Sequence, residues 1–348
     1  MINRTLIRIR VLQELFAYYH NPGKQLAEAE AQLTTSNERT HDLYLHLLTL
    51  VPTLTRFHQA RLERRRNKLL RTEEDINPNM RLANNRLAQA MEASTTLQEF
   101  IRERGLIWSD DDRLLSMLLD EILASDLYRE YVTSAPDTFA ADAKFWVQAF
   151  AGYTFRNEEL DEYLEGLSLY WDNPLGVTEK IEVEDKVDIE EVDEVVAGLK
   201  GTEYYHAVRL ASSPVEIEKE FALKSMRKAK PDTSFDEVII PAYKDEEDTH
   251  LAAELLRTTI VHEEEYREII NKNLRNWDMD RVTDVDMIIL QMALAELLSF
   301  PTIPTTVTLN EYIELAKIYS TAESGVFVNG LLDSALHQLR NERRILKF

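Results

Sequence analysis

Between Leu309 and Asp333 the chain reads LNEYIELAKIYSTAESGVFVNGLLD, and two helix starts follow one another there. Thr308 precedes Glu311 by three residues, and Ser320 precedes Glu323 by three. A hydroxyl followed at that spacing by a carboxylate is a capping box, which satisfies the first free N–H groups of a helix. The pattern predicts a helix over 308–319, a short polar turn and a helix over 322–341. Gly325 and Gly330, near the second start, predict the close approach of another backbone. Apolar residues at helical spacing recur along most of the chain, and only 9 Gly and 10 Pro interrupt 348 residues. That scarcity of helix breakers favours an all-α fold.

Periodicity predicts further helices over 3–20, 25–70, 80–104, 110–132, 137–152, 157–170, 203–230, 246–275 and 283–299. The HNPGK turn ends the first. Breaks are expected near Thr34–Glu38, over Leu69–Pro78 and near Thr258–His262. Residues 234–243, SFDEVIIPAY, read as a short extended segment, and 171–201 as a solvated acidic linker or a loosely packed acidic helix. Residues 141–172 and 247–278 both end in Trp-Asp with apolar positions in step. A duplicated helical pair and two unrelated amphipathic pairs account for this equally.

The chain has no cysteine, so it has neither a disulfide framework nor a thiolate metal site. No apolar run approaches the ~18 residues of a membrane span, and Arg4, Arg8 and Arg10 interrupt the N-terminal stretch. The expectation is a soluble cytoplasmic protein with no membrane partner. The formal charge is −22, which by itself opposes binding to a phosphate backbone. The charge is unevenly placed, however. Residues 1–10 carry three Arg and no acid, and residues 56–71 carry seven basic residues and one Glu. Residues 340–347 carry four basic residues and one acid, whereas 157–200 hold fifteen acids against three Lys. The basic run at 56–71 reads as a solvated helix face paired with the acidic middle, or as a phosphate-contacting extension.

Enzymatic signatures are missing from the sequence. There is no GxSxG elbow and no Gly-rich phosphate loop. Three Glu-x-x-His pairs (Glu38/His41, Glu203/His206 and Glu247/His250) have the spacing of di-iron ligands but read as ordinary surface pairs. No catalytic residue, metal or cofactor is expected.

The C-terminal stretch resembles the signature of the NusB family of transcription antitermination factors, through Asn310–Lys317 and the FVNG run ending at Asp333. Trp277, Asp280-Arg281, Asp286, Ile289-Leu290 and Glu296-Leu297 continue the resemblance upstream. Asn3 to Tyr19 resembles the family's arginine-rich first helix, with Arg4 and Arg8 in register. The resemblance implies an all-α fold of two packed helical bundles, one holding the N-terminal helix and one the last four, with an additional inserted helical lobe. The expected division is 1–99, 100–245 for the insertion, and 246–348. The resemblance also implies no enzymatic activity. It implies binding of boxA-type single-stranded RNA together with NusE, a small-subunit ribosomal protein, within an RNA polymerase antitermination complex. The RNA-binding residues it implies are Arg4, Arg8, Arg10, Phe327, Asn329 and Glu323. Phe327 also fits a core role, and Glu323 a capping one. A helical protein-binding adaptor without RNA affinity is the alternative. An rRNA cytosine methyltransferase carrying such a domain would need a catalytic cysteine, which this chain lacks.

Overall fold

The computed structural model describes residues 4–108, 112–171, 214–243, 246–274, 282–321, 323–345 and 347. Their regular elements are all helical, with no strand among the described residues. In chain order they are α1 (Arg4–Tyr19), α2 (Leu26–Arg66), α3 (Glu73–Ile76), α4 (Arg86–Glu92), α5 (Thr95–Arg104), α6 (Asp112–Ala124), α7 (Asp126–Thr133), α8 (Phe139–Gly152) and α9 (Glu158–Leu167). There follow α10 (Pro214–Lys228), α11 (Glu246–Val261), α12 (Glu263–Asn273), α13 (Asp284–Ser299), α14 (Thr305–Tyr319) and α15 (Ser324–Asn341). The chain divides into two units, one of 1–38, 173–213 and 241–348, the other of 39–172 and 214–240.

The first unit is organised around α13. Met287 to Leu297 are buried without interruption, as expected of a helix apolar on all sides. The N-terminal helix α1 packs on α11 and α13, so it shares a unit with the C-terminal helices. The α14–α15 hairpin covers another side of α13. The break expected near Thr258–His262 falls at His262, between α11 and α12.

The second unit has an aromatic interior. Phe145 stacks on Tyr131 with centroids 4.2 Å apart, and Trp146 meets Phe150 edge to face at 5.6 Å. His46 lies flat on Trp108 at 4.0 Å and faces Trp171 at 5.7 Å.

Several expected boundaries are corrected by side chains that the periodicity treats as neutral. Helix α2 runs through Thr34–Glu38 unbroken, and the hydroxyls of Thr34 and Thr35 donate to the carbonyls of Glu30 and Ala31 one turn back, so they do not compete as acceptors for its N–H groups. The helices expected over 80–104 and 110–132 each divide in two. Ser94 accepts from the N–H of Leu97, and Ser125 from that of Tyr128, so each starts a new helix. The expected polar break over 69–78 contains α3, whose Thr72 and Asp75 form a capping box. The 234–243 segment is not extended. It turns through a 3-10 helix at Phe235–Val238, and the Asp236 carboxylate there accepts from Ser94 Oγ and from the N–H groups of Thr95 and Thr96.

Neither capping box expected in the C-terminal stretch forms. Pro304 is the N-cap of α14, so this helix starts a turn early and Thr308 lies inside it. Ser320 closes α14, and Glu323 stands at the N-cap of α15 without a side-chain cap bond. The pairing shifts by one residue at each end: Thr321 N–H donates to Ser324 Oγ at 3.2 Å. The glycines also differ from expectation. A Cβ on Gly325 would lie 2.7 Å from Lys317 Cγ, so the close neighbour is a side chain rather than a backbone. At Gly330 a Cβ would meet nothing within 4 Å.

Candidate nucleic-acid interface

The arginines of α1 point to acidic partners on three other helices. Arg8 is 1% exposed. Its Nε donates to Glu296 Oε2 at 2.8 Å and its Nη2 to Glu296 Oε1 at 2.9 Å, a two-pronged pair with α13. Its Nη1 reaches Glu311 Oε2 on α14 at 3.1 Å. Thr5 donates to the same Glu311 oxygen at 2.9 Å. Glu296 also accepts from the hydroxyls of Thr308 at 2.9 Å and Tyr312 at 3.1 Å. Burial works against the Arg8 charge, but the hydrogen bond and charge of Glu296 outweigh it, and the guanidinium pKa rises above its ordinary value. Burial, then the Glu296 charge, pushes the Tyr312 phenol well above its usual range. Arg4 Nε meets Asp248 of α11 at 2.7 Å, and its side chain remains partly exposed. Arg10 is buried, with Nη1 donating to Gln13 Oε1 at 2.9 Å.

Glu323, Phe327 and Asn329 lie at the start of α15. Glu323 and Asn329 are exposed and Phe327 is half-buried. Ser324 Oγ anchors that start by donating to Asp286 Oδ2 in the first turn of α13, at 2.9 Å. The hydroxyls of Thr283 and Ser320 meet alongside at 3.3 Å. Asp286 and Glu296 are ten residues apart on α13, a rise of about 15 Å. The expected residues therefore form two groups at opposite ends of α13. Arg4 and Arg8 mark one end; Glu323, Phe327 and Asn329 mark the other.

The second group has neighbours that the sequence reading missed. Phe16 of α1 and His20, just past its end, stack with centroids 4.1 Å apart. His20 Nε2 lies 3.3 Å from Asp284 Oδ2, at the same end of α13. The i,i+4 spacing of Phe16 and His20 predicts their contact, although His20 also opens the HNPGK turn. This end thus combines aromatic rings and an exposed amide beside the starts of two helices, of which α13 is capped by Thr283.

Asp286, Leu290 and Leu297 are core residues of α13, whereas Trp277, Asp280 and Arg281 lie outside the described residues. So do Glu203 and His206 and most of the acidic 157–200 stretch. Among the described residues no cluster of three or more His, Cys, Asp and Glu suits a metal ion, and no helix is long and apolar enough to cross a membrane. On the 56–71 run, Arg56 pairs with Glu92 at 3.5 Å and Arg61 with Asp120 at 2.7 Å.

The helices α11 to α15, with α13 at their centre, lie almost wholly in the stretch that comparison with known proteins identifies. Residues 213–337 match the NusB family. The transcription antitermination protein NusB of Salinibacter ruber is 41% identical over 110 residues, which cover 32% of this chain and 69% of that protein. NusB of an Exiguobacterium species is 40% identical over 103 residues, covering 30% of this chain and 80% of that protein. NusB of Methylacidiphilum infernorum is 44% identical over 92 residues, 26% of this chain and 64% of that protein. No solved structure matches the chain. The chain belongs to the NusB family, a family of non-enzymatic factors, and extends well beyond the matched region on its N-terminal side.

Proposed function

We propose that this chain acts in transcription antitermination by binding boxA-type single-stranded RNA together with the small-subunit ribosomal protein NusE, in a complex with RNA polymerase. The observation that carries the reading is the α14–α15 stretch. It retains the family's residue pattern from Asn310 to Asp333 and leaves Asn329 exposed and Phe327 half-buried at a helix start. Phe327 stacks on an unpaired base, Asn329 hydrogen-bonds a base edge, and Glu323 borders them. Arg4, partly exposed beside Asp248, supplies phosphate contact at the other end. Arg8 acts by holding α1 against α13 and α14, and Arg10 is buried beside it.

A boxA titration with and without NusE tests this. Phe327→Ala should cost roughly 1–3 kcal/mol of binding, as for one base stack, and leave the salt dependence unchanged. Arg4→Ala should flatten the slope of log K against log salt by about 0.7. The adaptor reading draws support from the burial of Arg8 and Arg10. It predicts NusE binding with no boxA affinity under any salt condition, and that result would replace the RNA reading.

A further inference from the structure

The end of α2 carries Arg64, Arg65 and Arg66, and Lys68 and Arg71 follow it, with no acid between 64 and 71. All five are exposed. None has a carboxylate within 4.0 Å among the described residues. Elsewhere on the surface the exposed Arg102, Arg113 and Arg129 each lie against one. Cations in a last helical turn complement the helix dipole, which explains Arg64 to Arg66. Beyond the helix, Arg71 Nη1 donates to the carbonyl of Arg66 in that last turn at 3.4 Å, and Lys68 has no such role in the helix end. Leu69 and Leu70 stand between those two cations, 104% and 90% exposed. Folding gains nothing from two solvated leucines.

We propose that this helix end and the turn after it form a second single-stranded RNA contact, in which the five cations track the phosphate backbone and Leu69 and Leu70 cover sugar or base surface. Arg outnumbers Lys four to one here. The planar Arg fork matches phosphate oxygens in pairs, whereas Lys meets them as a point charge. The contact is independent of base sequence, because backbone neutralisation reads no bases. It rests on the RNA-binding reading above only for the choice of RNA over other polyanions.

The test uses the full chain and a fluorescent oligouridylate lacking any boxA sequence, titrated at several salt concentrations. The variant is Arg64→Gln, Arg65→Gln, Lys68→Gln. It should keep the wild-type melting temperature, since all three residues are exposed. Its slope of log K against log salt should flatten by about 2, from ~0.7 for each of three lost phosphate contacts. A second variant, Leu69→Ser with Leu70→Ser, should lower affinity with the slope unchanged. An unaltered slope in the Gln variant overturns the proposal. So does a wild-type chain that ignores oligouridylate and sediments with phosphatidylserine vesicles, which would make the surface lipid-facing. The two readings fail separately. Loss of boxA preference with the Gln effect intact removes only the boxA reading. An intact boxA response with no Gln effect removes only this one.

Discussion

Two arginine-bearing helix ends in this molecule look alike as sequence and do opposite things. The start of α1 holds Arg4, Arg8 and Arg10, and the end of α2 holds Arg64, Arg65 and Arg66. In α1 the Arg8 charge is taken up internally, while Arg4 stays partly exposed beside an acid. Glu296 grips Arg8 through two hydrogen bonds, Glu311 adds a third, and Asp248 holds Arg4. At the end of α2 the charges face solvent, with no carboxylate within 4.0 Å among the described residues. Net charge over a window says how many cations there are, not how many remain available to an outside anion. Availability depends on acids far away in sequence, such as Glu296, which stands 288 residues from Arg8.

The largest expected effect comes from breaking the internal arrangement. Glu296→Ala leaves a buried guanidinium and two hydroxyls without their acceptor, and a broken buried pair costs about 3–5 kcal/mol. Chemical denaturation of the first unit should show that loss at neutral pH. A melt within experimental error of wild type would mean Arg8 escapes to solvent, making it as available as Arg65.

The next effect sharpens the contrast in the second unit, through pH. Burial holds the imidazole of His46 down to about 3, and that of His58 down to about 4 with help from Arg61 and Arg65. Unfolding restores both toward 6.5. Between 6.5 and the folded values the unfolded chain therefore binds more protons, and stability falls as pH falls. Each group contributes a slope of about 1.4 kcal/mol per pH unit in that window. His46→Phe keeps an aromatic ring between Trp108 and Trp171 and removes one of the two slopes. Melting temperatures from pH 7 to pH 4 should show a shallower decline in the variant. Parallel declines would mean that His46 is not the group taking up the proton.

Much of this was legible in the sequence, and what was missed has a common cause. The all-α class, α13 as a core helix and the break at His262 follow from periodicity, which depends on residues close in sequence. The capping boxes at Thr308 and Ser320 have the right residues at the right spacing. Thr308 nevertheless donates to Glu296, and Glu311 accepts from Arg8 and Thr5. Distant partners outbid the local ones, and no local pattern announces that. The same holds for Arg8 as a site residue. The resemblance places Arg8 in register with the family's arginines, but its burial is decided by α13 and α14. Phe16 and His20 were readable at i,i+4 and were passed over for the turn beside them.

A smaller effect tests the α14–α15 contact on which the Phe327 end depends. Gly325→Ala places a Cβ 2.7 Å from Lys317 Cγ, and such overpacking costs about 1–3 kcal/mol. Combining it with Lys317→Ala removes the obstacle. The added helix propensity of Ala, up to about 1 kcal/mol over Gly, should then appear as a net gain relative to Lys317→Ala alone. Equal penalties in both backgrounds would place the obstacle in the backbone instead.

The smallest expected effect returns to the cations at the end of α2. Arg65→Ala removes an exposed charge that has no carboxylate within 4.0 Å among the described residues, so its stability change should stay within about 0.5 kcal/mol. The sign is informative. Arg65 repels the other cations of its own run, and its loss relieves that repulsion; it also forfeits a favourable interaction with the helix dipole, worth about 0.3–1 kcal/mol at low salt. Raising the salt screens both interactions. The difference between Arg65→Ala and wild type should therefore shrink toward zero in denaturation curves at high ionic strength. Arg8→Ala provides the contrast, because its partner Glu296 is buried and salt screens a buried pair much less. If the Arg65→Ala difference persists undiminished at high salt, Arg65 is engaged in the fold, and the distinction between the two arginine clusters fails at the residue where it is sharpest.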